Sequence, residues 1–414
     1  ATRPAKFLAV AAFTFTVCSF AGTIRAADQP APPQSSLPAF AGALPPGPDG
    51  AKERVVAVID IGSNSGRVVV LRRTEQGHLE VIDDERAPLR LVAATEQGGR
   101  LGDATIAHTL QVLRDFRAVA LGSGAGRVVA VATAAVREAA DGESLIQRIH
   151  AEIGLDVEVI TAAEEGAYAF QGAIHGLPVE NGVLMDIGGG SMQLVSFRER
   201  RLERTWTLSL GALRLSTRFL KSDPPLAPER GKLEAHVLQV FSDGGVPPLA
   251  GGEWLIGTGG TIRNLAKMDR RTHRYPISRL HGYTLHRVGL EKVTELVVGR
   301  NAGERRAIPG LNGDRADSIT GGALTVLSAM RYLNAPELVV SGQGLRDGLA
   351  MAALGVAFPE ARAARGVAID ALIARFQLWD RQAAERRKDL ALRLLLAVEP
   401  PASEETIELL GYAA

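Results

Sequence analysis

Cysteine is almost missing from this chain: of 414 residues only Cys18 is one. That excludes an intrachain disulfide framework, a CxxC redox pair and a cysteine-based structural zinc site, so packing must hold the fold together. Charge of one sign is missing too, because 47 Lys and Arg against 46 Asp and Glu leave a formal charge of +1. A disordered polyelectrolyte or a nonspecific coat for nucleic acid does not fit that balance, although a local basic site does. Aromatics make up 5% of the chain, few for a surface that stacks bases, so no nucleic-acid partner is expected. No GxxxxGK phosphate loop, HExxH helix or GxSxG elbow occurs.

A long apolar run stands at the N-terminus. Arg3 and Lys6 precede an apolar stretch from Phe7 to Gly22, which exits through Ile24-Arg25-Ala26. The stretch is short for a bilayer span and reads as a secretory signal peptide over residues 1–26, with a retained anchor as the alternative. A secreted, periplasmic protein is expected, with no stable membrane span after cleavage and with Cys18 removed. Residues 27–52 are rich in Pro and Ala, lack periodicity and read as an extended tether.

Glycine is abundant, at 45 residues. The β-branched run Val55–Ile59 ends in Asp60, turns through Gly62, Ser63, Asn64 and Ser65, and re-enters a strand at Arg67. The pattern recurs where Gly182–Met185 leads to Asp186, then Gly188, Gly189, Gly190 and Ser191, and a strand from Gln193. Tips of small residues can bring backbone amides and hydroxyls against an anion, and an Asp at the strand end can hold a divalent cation or its water. An ordinary hairpin needs glycine as well; two matching turns favour a phosphate site. A third cluster, Gly257, Thr258, Gly259, Gly260 and Thr261, follows a strand and opens a helix, which makes an anion cradle or a tight helix–strand contact. Gly122–Gly126 precedes a strand and reads as a loop. Helices are predicted over 104–121, 143–153 and 163–175, and strands over 127–132 and 157–160, so sheets flanked by helices are expected.

Six ordered blocks resemble the exopolyphosphatase/guanosine pentaphosphate phosphohydrolase (Ppx/GppA) family of the actin-like ATPase superfamily. They are Ile59–Arg67, Ala132–Ala139, Glu164-Glu165, Asp186–Ser191, Gly257–Thr261, and Arg315-Ala316-Asp317 followed by Gly344–Gly348. The resemblance implies an α/β fold of two actin-like (ribonuclease H-like) domains, 53–176 and 177–357, with an interdomain cleft and a short helical tail over 358–414. It implies hydrolysis of a terminal phosphoanhydride of inorganic polyphosphate or of a phosphorylated guanosine nucleotide. By the same carry-over Glu165 is the catalytic base, Arg137 holds substrate phosphate, and Asp60 and Asp186 hold Mg²⁺ or Mn²⁺. Read from the residues alone, Glu164 and Glu165 also suit a helix's first turn, and Arg67 also suits a solvated strand.

This chain departs from the family at Gln193, where a Glu is usual; an amide binds Mg²⁺ far more weakly than a carboxylate. Weakened catalysis, or a polyphosphate- or nucleotide-binding sensor, is the corresponding alternative, and an ATP-dependent kinase on the same fold is another. Between Arg263 and His281 six cations (Arg263, Lys267, Arg270, Arg271, Arg274, Arg279) face one anion, Asp269. The segment reads as a solvated basic loop or as a track for a polyanion beginning with Arg263, Lys267, Arg270 and Arg271. Export favours polyphosphate over a cytosolic nucleotide signal. In the tail, a helical stretch over 361–398 carries Val367, Ile369, Leu372, Ile373, Phe376 and Trp379, which suit packing on the body, with a homodimer as the alternative.

Overall fold

A computed structural model describes residues 54–75, 77–373, 380–398 and 401–414. The expected signal peptide, Cys18, the tether, Phe376 and Trp379 lie outside these residues. Among the described residues no helix is long and apolar enough to cross a membrane.

The first part of the chain runs β1 (Val55–Ile61), β2 (Ser65–Arg73), β3 (Leu79–Pro88), α1 (Leu91–Gly98), α2 (Asp103–Gly122), β4 (Arg127–Ala132), α3 (Ala134–Glu138), α4 (Gly142–Ile153), β5 (Val157–Val159) and α5 (Ala162–His175). The second part opens with β6 (Gly182–Ile187), β7 (Met192–Arg198), β8 (Arg201–Leu208), α6 (Ala212–Phe219), α7 (Ala227–Asp243), β9 (Trp254–Thr258) and α8 (Gly259–Thr272). It continues through β10 (Tyr283–His286), α9 (Arg287–Val298), α10 (Ala302–Arg306), a 3₁₀ turn at Gly313–Arg315, α11 (Ile319–Tyr332), β11 (Glu337–Val340) and α12 (Leu345–Leu354). Three helices, α13 (Ala361–Ile373), α14 (Arg381–Val398) and α15 (Glu404–Ala413), form the tail.

Two sheets share one plan. The first has the order β3-β2-β1-β4-β5 and the second β10-β11-β9-β6-β7-β8. In each, an antiparallel meander (β1 to β3, β6 to β8) is extended by strands parallel to its first member, β4 on β1 and β9 on β6. Hairpins serve the meanders, whereas parallel pairing requires the helical crossovers α2 and α7. The central strands are buried on both faces, which is why Val, Ile and Leu fill them almost without alternation.

Side-chain alternation then decides what each strand end can reach. On β1, Ala57, Ile59 and Ile61 join the cluster beneath α2 and α4, while Val56 and Val58 pack with Leu349, Ala350 and Leu354 of α12. Asp60 therefore faces the α12 side. On β6, Leu184 packs with Ala169, Phe170 and Ala173 of α5, so Asp186 faces α5. A boundary at residue 176 thus leaves α5 with the first sheet although its buried face lies on the second, and α12, expected in the second domain, covers the first. The two helices cross in backbone contact: a Cβ on Gly348 would lie 1.9 Å from the Tyr168 carbonyl oxygen, and one on Gly172 would lie 2.1 Å from that of Gly344.

The tail differs from the expected single stretch. It is divided between α13 and α14, and α15 adds a helix that the sequence reading omitted. Within α13 only Ala361 and Ala364 are buried. Leu372 is exposed and Val367, Ile369 and Ile373 are only partly covered, so these side chains do not form the expected seam with the body.

Candidate active site

The ends of both sheets converge on a cleft with a cavity of about 420 Å³. Its floor is made by the two hairpin tips, which press against each other. A Cβ on Gly189 would lie 2.7 Å from the Asn64 Cβ, and one on Gly190 would lie 2.7 Å from the Ser63 hydroxyl. Larger residues at these glycines would force the tips apart.

Several tip carbonyls are engaged, while four of the tip amides are open. Val92 donates to the Ser63 carbonyl, Leu89 and Arg90 to that of Asn64, Ala212 to that of Gly188, and Leu213 and Arg214 to that of Gly189. Among the described residues, the amides of Ser63, Asn64, Gly189 and Gly190 donate to no protein acceptor. Free amides above a cleft can serve as an anion cradle, and α1 and α6 hold these tips in shape.

Three carboxylates stand at the inner end. A capping box fixes the start of α5: the Glu164 amide donates to the Thr161 hydroxyl, and the Thr161 amide donates to the Glu164 carboxylate at 2.8 Å. Such a cap contributes about 1 kcal/mol. It sets the next residue, Glu165, in the cleft with 8% of its surface exposed. Burial pushes the Glu165 carboxyl from its ordinary 4.5 up to about 8; Arg137 opposes the shift, and Asp186 and Asp60 add to it. Burial, with Asp60 nearby, likewise lifts Asp186 to about 6, against Arg263 and Arg346. Asp60 accepts from Arg346 at 2.8 Å, a contact made because both lie on the α12 face of β1.

Cations line the way out: Arg346, Arg263, Lys267, Arg315, Arg67 and Arg86. Burial lowers Arg315 to about 9, with Arg86 next to it adding to the effect, and Arg263 to about 10, with Arg346 and Arg67 adding. These guanidiniums repel one another in partial burial, and an anion between them would relieve both costs. Three carry internal counter-ions: Arg346 donates to Asp60, Arg67 grips Asp84 with two donors, and Arg86 meets Asp314 at 2.5 Å. Among the cavity-lining residues there is no aromatic side chain.

Most sequence-predicted residues meet here: Asp60, Gly62, Ser63, Asn64, Ser65, Arg67, Glu165, Asp186, Gly188, Gly189, Gly190, Ser191, Gly259, Gly260, Arg263 and Lys267 all line the cavity. Five do not. Gly257 lies inside β9, where a Cβ would meet Leu338 at 2.6 Å, so its glycine serves sheet packing. Thr261 is buried against Gly322. Arg270 donates to the Ile277 and Ser278 carbonyls and pins its own loop, and Arg271 is exposed on the outer side of α8. Of the four residues expected to begin a track, only Arg263 and Lys267 therefore line the cavity. Arg137 sits behind Glu165, donating to the Ile160 carbonyl at 2.7 Å and lying 3.5 Å from the Glu165 carboxylate.

Arg86, Arg315, Arg346, Asn264 and Asn312 were not singled out from sequence for the site. Arg315 and Arg346 stand in the quoted Arg-Ala-Asp and Gly-Leu-Arg-Asp-Gly blocks, a signal that was available; Arg86, on a charged edge strand, offered none. Gln193 is buried and donates to the Ser191 hydroxyl at 3.0 Å, holding the second tip.

Comparison with known proteins follows the same lines. The model of the Ppx/GppA phosphatase family matches residues 69–356. Exopolyphosphatase 1 of Mycobacterium tuberculosis is 28% identical over 303 residues, 71% of this chain and 86% of that protein. The crystal structure of the Aquifex aeolicus member of the Ppx/GppA family superposes with a TM-score of 0.61 at 30% identity, covering 71% of this chain and 95% of that one. An exopolyphosphatase from Cytophaga hutchinsonii gives a TM-score of 0.66 at 26% identity, covering 74% and 100%.

Proposed function

We propose, from the premise that this chain belongs to the Ppx/GppA phosphatase family, that its cleft hydrolyses the terminal phosphoanhydride of inorganic polyphosphate and releases orthophosphate. The observation that carries this is the pairing of free tip amides beside Glu165 with an exit lined by cations and no aromatic. A chain of phosphates asks for charge along its whole length. A guanosine nucleotide asks in addition for a base platform, which the lining lacks, so polyphosphate is preferred over guanosine pentaphosphate. The exopolyphosphatase names of the mycobacterial and Cytophaga relatives support the same choice.

The terminal phosphoryl group would rest on the amides of Ser63, Asn64, Gly189 and Gly190, which neutralise its oxygens without side-chain bulk. Arg346 and Arg263 reach the same oxygens, and Lys267 and Arg315 hold the units behind. This fixes the phosphorus in line with a water at Glu165, whose carboxylate takes the proton as the P–O bond to the leaving chain breaks. Arg137 keeps Glu165 oriented and favours its ionised form.

Asp60 and Asp186 fit a divalent cation. They raise the proton affinity of Glu165, so the inner end carries negative charge that Arg346, Arg263 and Arg137 offset only in part. Among the described residues no cluster of three or more acidic, His or Cys ligands forms a cage. Mg²⁺ accepts one or two carboxylates together with substrate phosphates and water, and Mn²⁺ takes similar oxygen ligands. When bound, the ion supplies charge neutralisation to the phosphate oxygens. Export to the periplasm belongs to the same proposal and rests on residues 1–26. A homodimer is supported by Leu390 and Leu394, exposed on the tail.

The test incubates the purified chain with long-chain polyphosphate and Mg²⁺ and follows free phosphate, beside Glu165→Gln and beside guanosine pentaphosphate as substrate. Release from polyphosphate by the wild type alone is expected. Tight binding without release in the wild type would leave the sensor alternative, and equal rates in both proteins would remove Glu165 from the mechanism.

A further inference from the structure

A second cavity, of about 250 Å³, shares no lining residue with the first. It is walled by α6, the loop after it, α10, the start of α11 and Arg90. Its charged residues are Arg90, Lys221, Arg305, Asp223 and Asp317, three cations against two carboxylates. Two of the cations are matched: Arg90 pairs with Asp317 and the buried Arg305 pairs with Asp223 while also donating to the Thr320 hydroxyl. Asp223 further accepts from the Ala302 amide at 2.7 Å. The third, Lys221, donates through its ammonium to the neutral Thr217 carbonyl and through its amide to the Glu229 carboxylate, and among the described residues its ammonium forms no ion pair. Arg305 is itself 4% exposed, and its Nε finds no acceptor among the described residues.

We propose that this cavity is a second, noncatalytic oxyanion site whose ligand is a small tetrahedral anion of the orthophosphate class. Charge fits, because the Lys221 ammonium has no ionic partner and the lining cations outnumber the lining carboxylates, while the neighbouring Glu229 is engaged by the Lys221 and Ser222 amides and the Ser222 hydroxyl. Size fits as well: at roughly 30 Å³ per liquid water the cavity holds a tetrahedral oxyanion with some of its waters, and it is smaller than the roughly 300–1,000 Å³ typical of sites for larger organic ligands. Its position gives the site a consequence. The Arg90 amide donates to the Asn64 carbonyl of the first tip, and the Leu213 and Arg214 amides at the start of α6 donate to the Gly189 carbonyl of the second. An anion held by Arg90 and α6 therefore rests on the elements that shape the catalytic cradle.

Binding, unlike hydrolysis, tests this directly. Inorganic phosphate titrated into the purified chain by calorimetry at pH 7 should show two classes of site. Arg263→Ala should remove the class in the large cavity and keep the other. Lys221→Glu, at an exposed position, should weaken the second class by about tenfold or more, and Asp317→Asn should tighten it by a smaller factor of about threefold, since the first shifts the local charge by two units and the second by one unit in the opposite direction. Tightening cannot come from a damaged fold, and circular dichroism checks Lys221→Glu. A single class lost in Arg263→Ala, or a second class that neither Lys221→Glu nor Asp317→Asn moves, would overturn the assignment. Phosphate binding confined to the second class would sustain it while counting against the catalytic proposal for the cleft.

Discussion

Replacing Glu165 with Gln should remove activity and alter how stability depends on pH. The carboxyl has an ordinary value of 4.5 and stands at about 8 in the folded chain, chiefly because it is buried. Between those values the folded protein holds a proton that the unfolded chain has released, so stability falls as pH rises through the window and levels off above about 8. At pH 7 the proton held against its ordinary value costs about 3 kcal/mol in order of magnitude, at 1.36 kcal/mol per unit. Glutamine keeps the shape of the protonated acid and cannot ionise. The variant should therefore match the wild type near pH 4.5 and become progressively more stable than it toward pH 8, by a margin of that order at neutrality. Urea unfolding of both proteins at half-unit pH steps, without divalent cations, measures the gap. Phosphate release should fall by about 10²–10⁴-fold in the same variant. A stability difference that stays constant across pH would refute the link between burial of Glu165 and its proton, and an unchanged rate would refute its role as base.

Arg137→Gln removes the cation that favours ionised Glu165; the acidic limb of the pH–rate profile should move to higher pH, while polyphosphate KM stays close to that of the wild type. Arg263→Ala should raise the KM for polyphosphate about tenfold or more, because a half-buried guanidinium on the cavity wall is lost, whereas Arg271→Ala on the exposed side of α8 should leave it within about twofold. Gly348→Ala puts a methyl 1.9 Å from the Tyr168 carbonyl, so α5 and α12 must separate; denaturant unfolding should show a loss of about 1–3 kcal/mol or more, with a lower kcat as Glu165 and Arg346 shift together. Gln193→Glu adds a buried carboxylate on the α5 face of β7, across the strands from Asp186. Without divalent cation it should destabilise the chain by about 1–3 kcal/mol, and added Mg²⁺ should recover the loss, which thermal unfolding with and without Mg²⁺ reads.

Much of the architecture was written in local pattern. The β-branched runs ending in Asp60 and Asp186, the glycine turns after them and the helical spacing of α2, α4 and α5 were legible because strand and helix periods are properties of neighbouring residues. Glu165 was legible through its block, and the capping residues before it explain why a helix starts there. Gly257 and Thr261 looked like members of a cradle because they adjoin Gly259 and Gly260, yet alternation along β9 and the turn of α8 point them into packing. The basic segment after Arg263 misled for a similar reason: a helix displays successive cations on different faces, so only Arg263 and Lys267, four residues apart, look into the cleft.

What the sequence by itself determined is the chemistry at each strand end: small residues that leave backbone amides open in the turn, an Asp beside each turn, and a Glu at a helix start. What only the tertiary structure decided is which distant residues share a charge environment. Arg346 meets Asp60 because α12 returns to cover the first sheet, and Arg86 meets Asp314 because a β3 edge faces the turn before α11. Those pairings, and the elevated proton affinity of Glu165 beside Asp60 and Asp186, depend on distance through a low-dielectric interior rather than on distance along the chain.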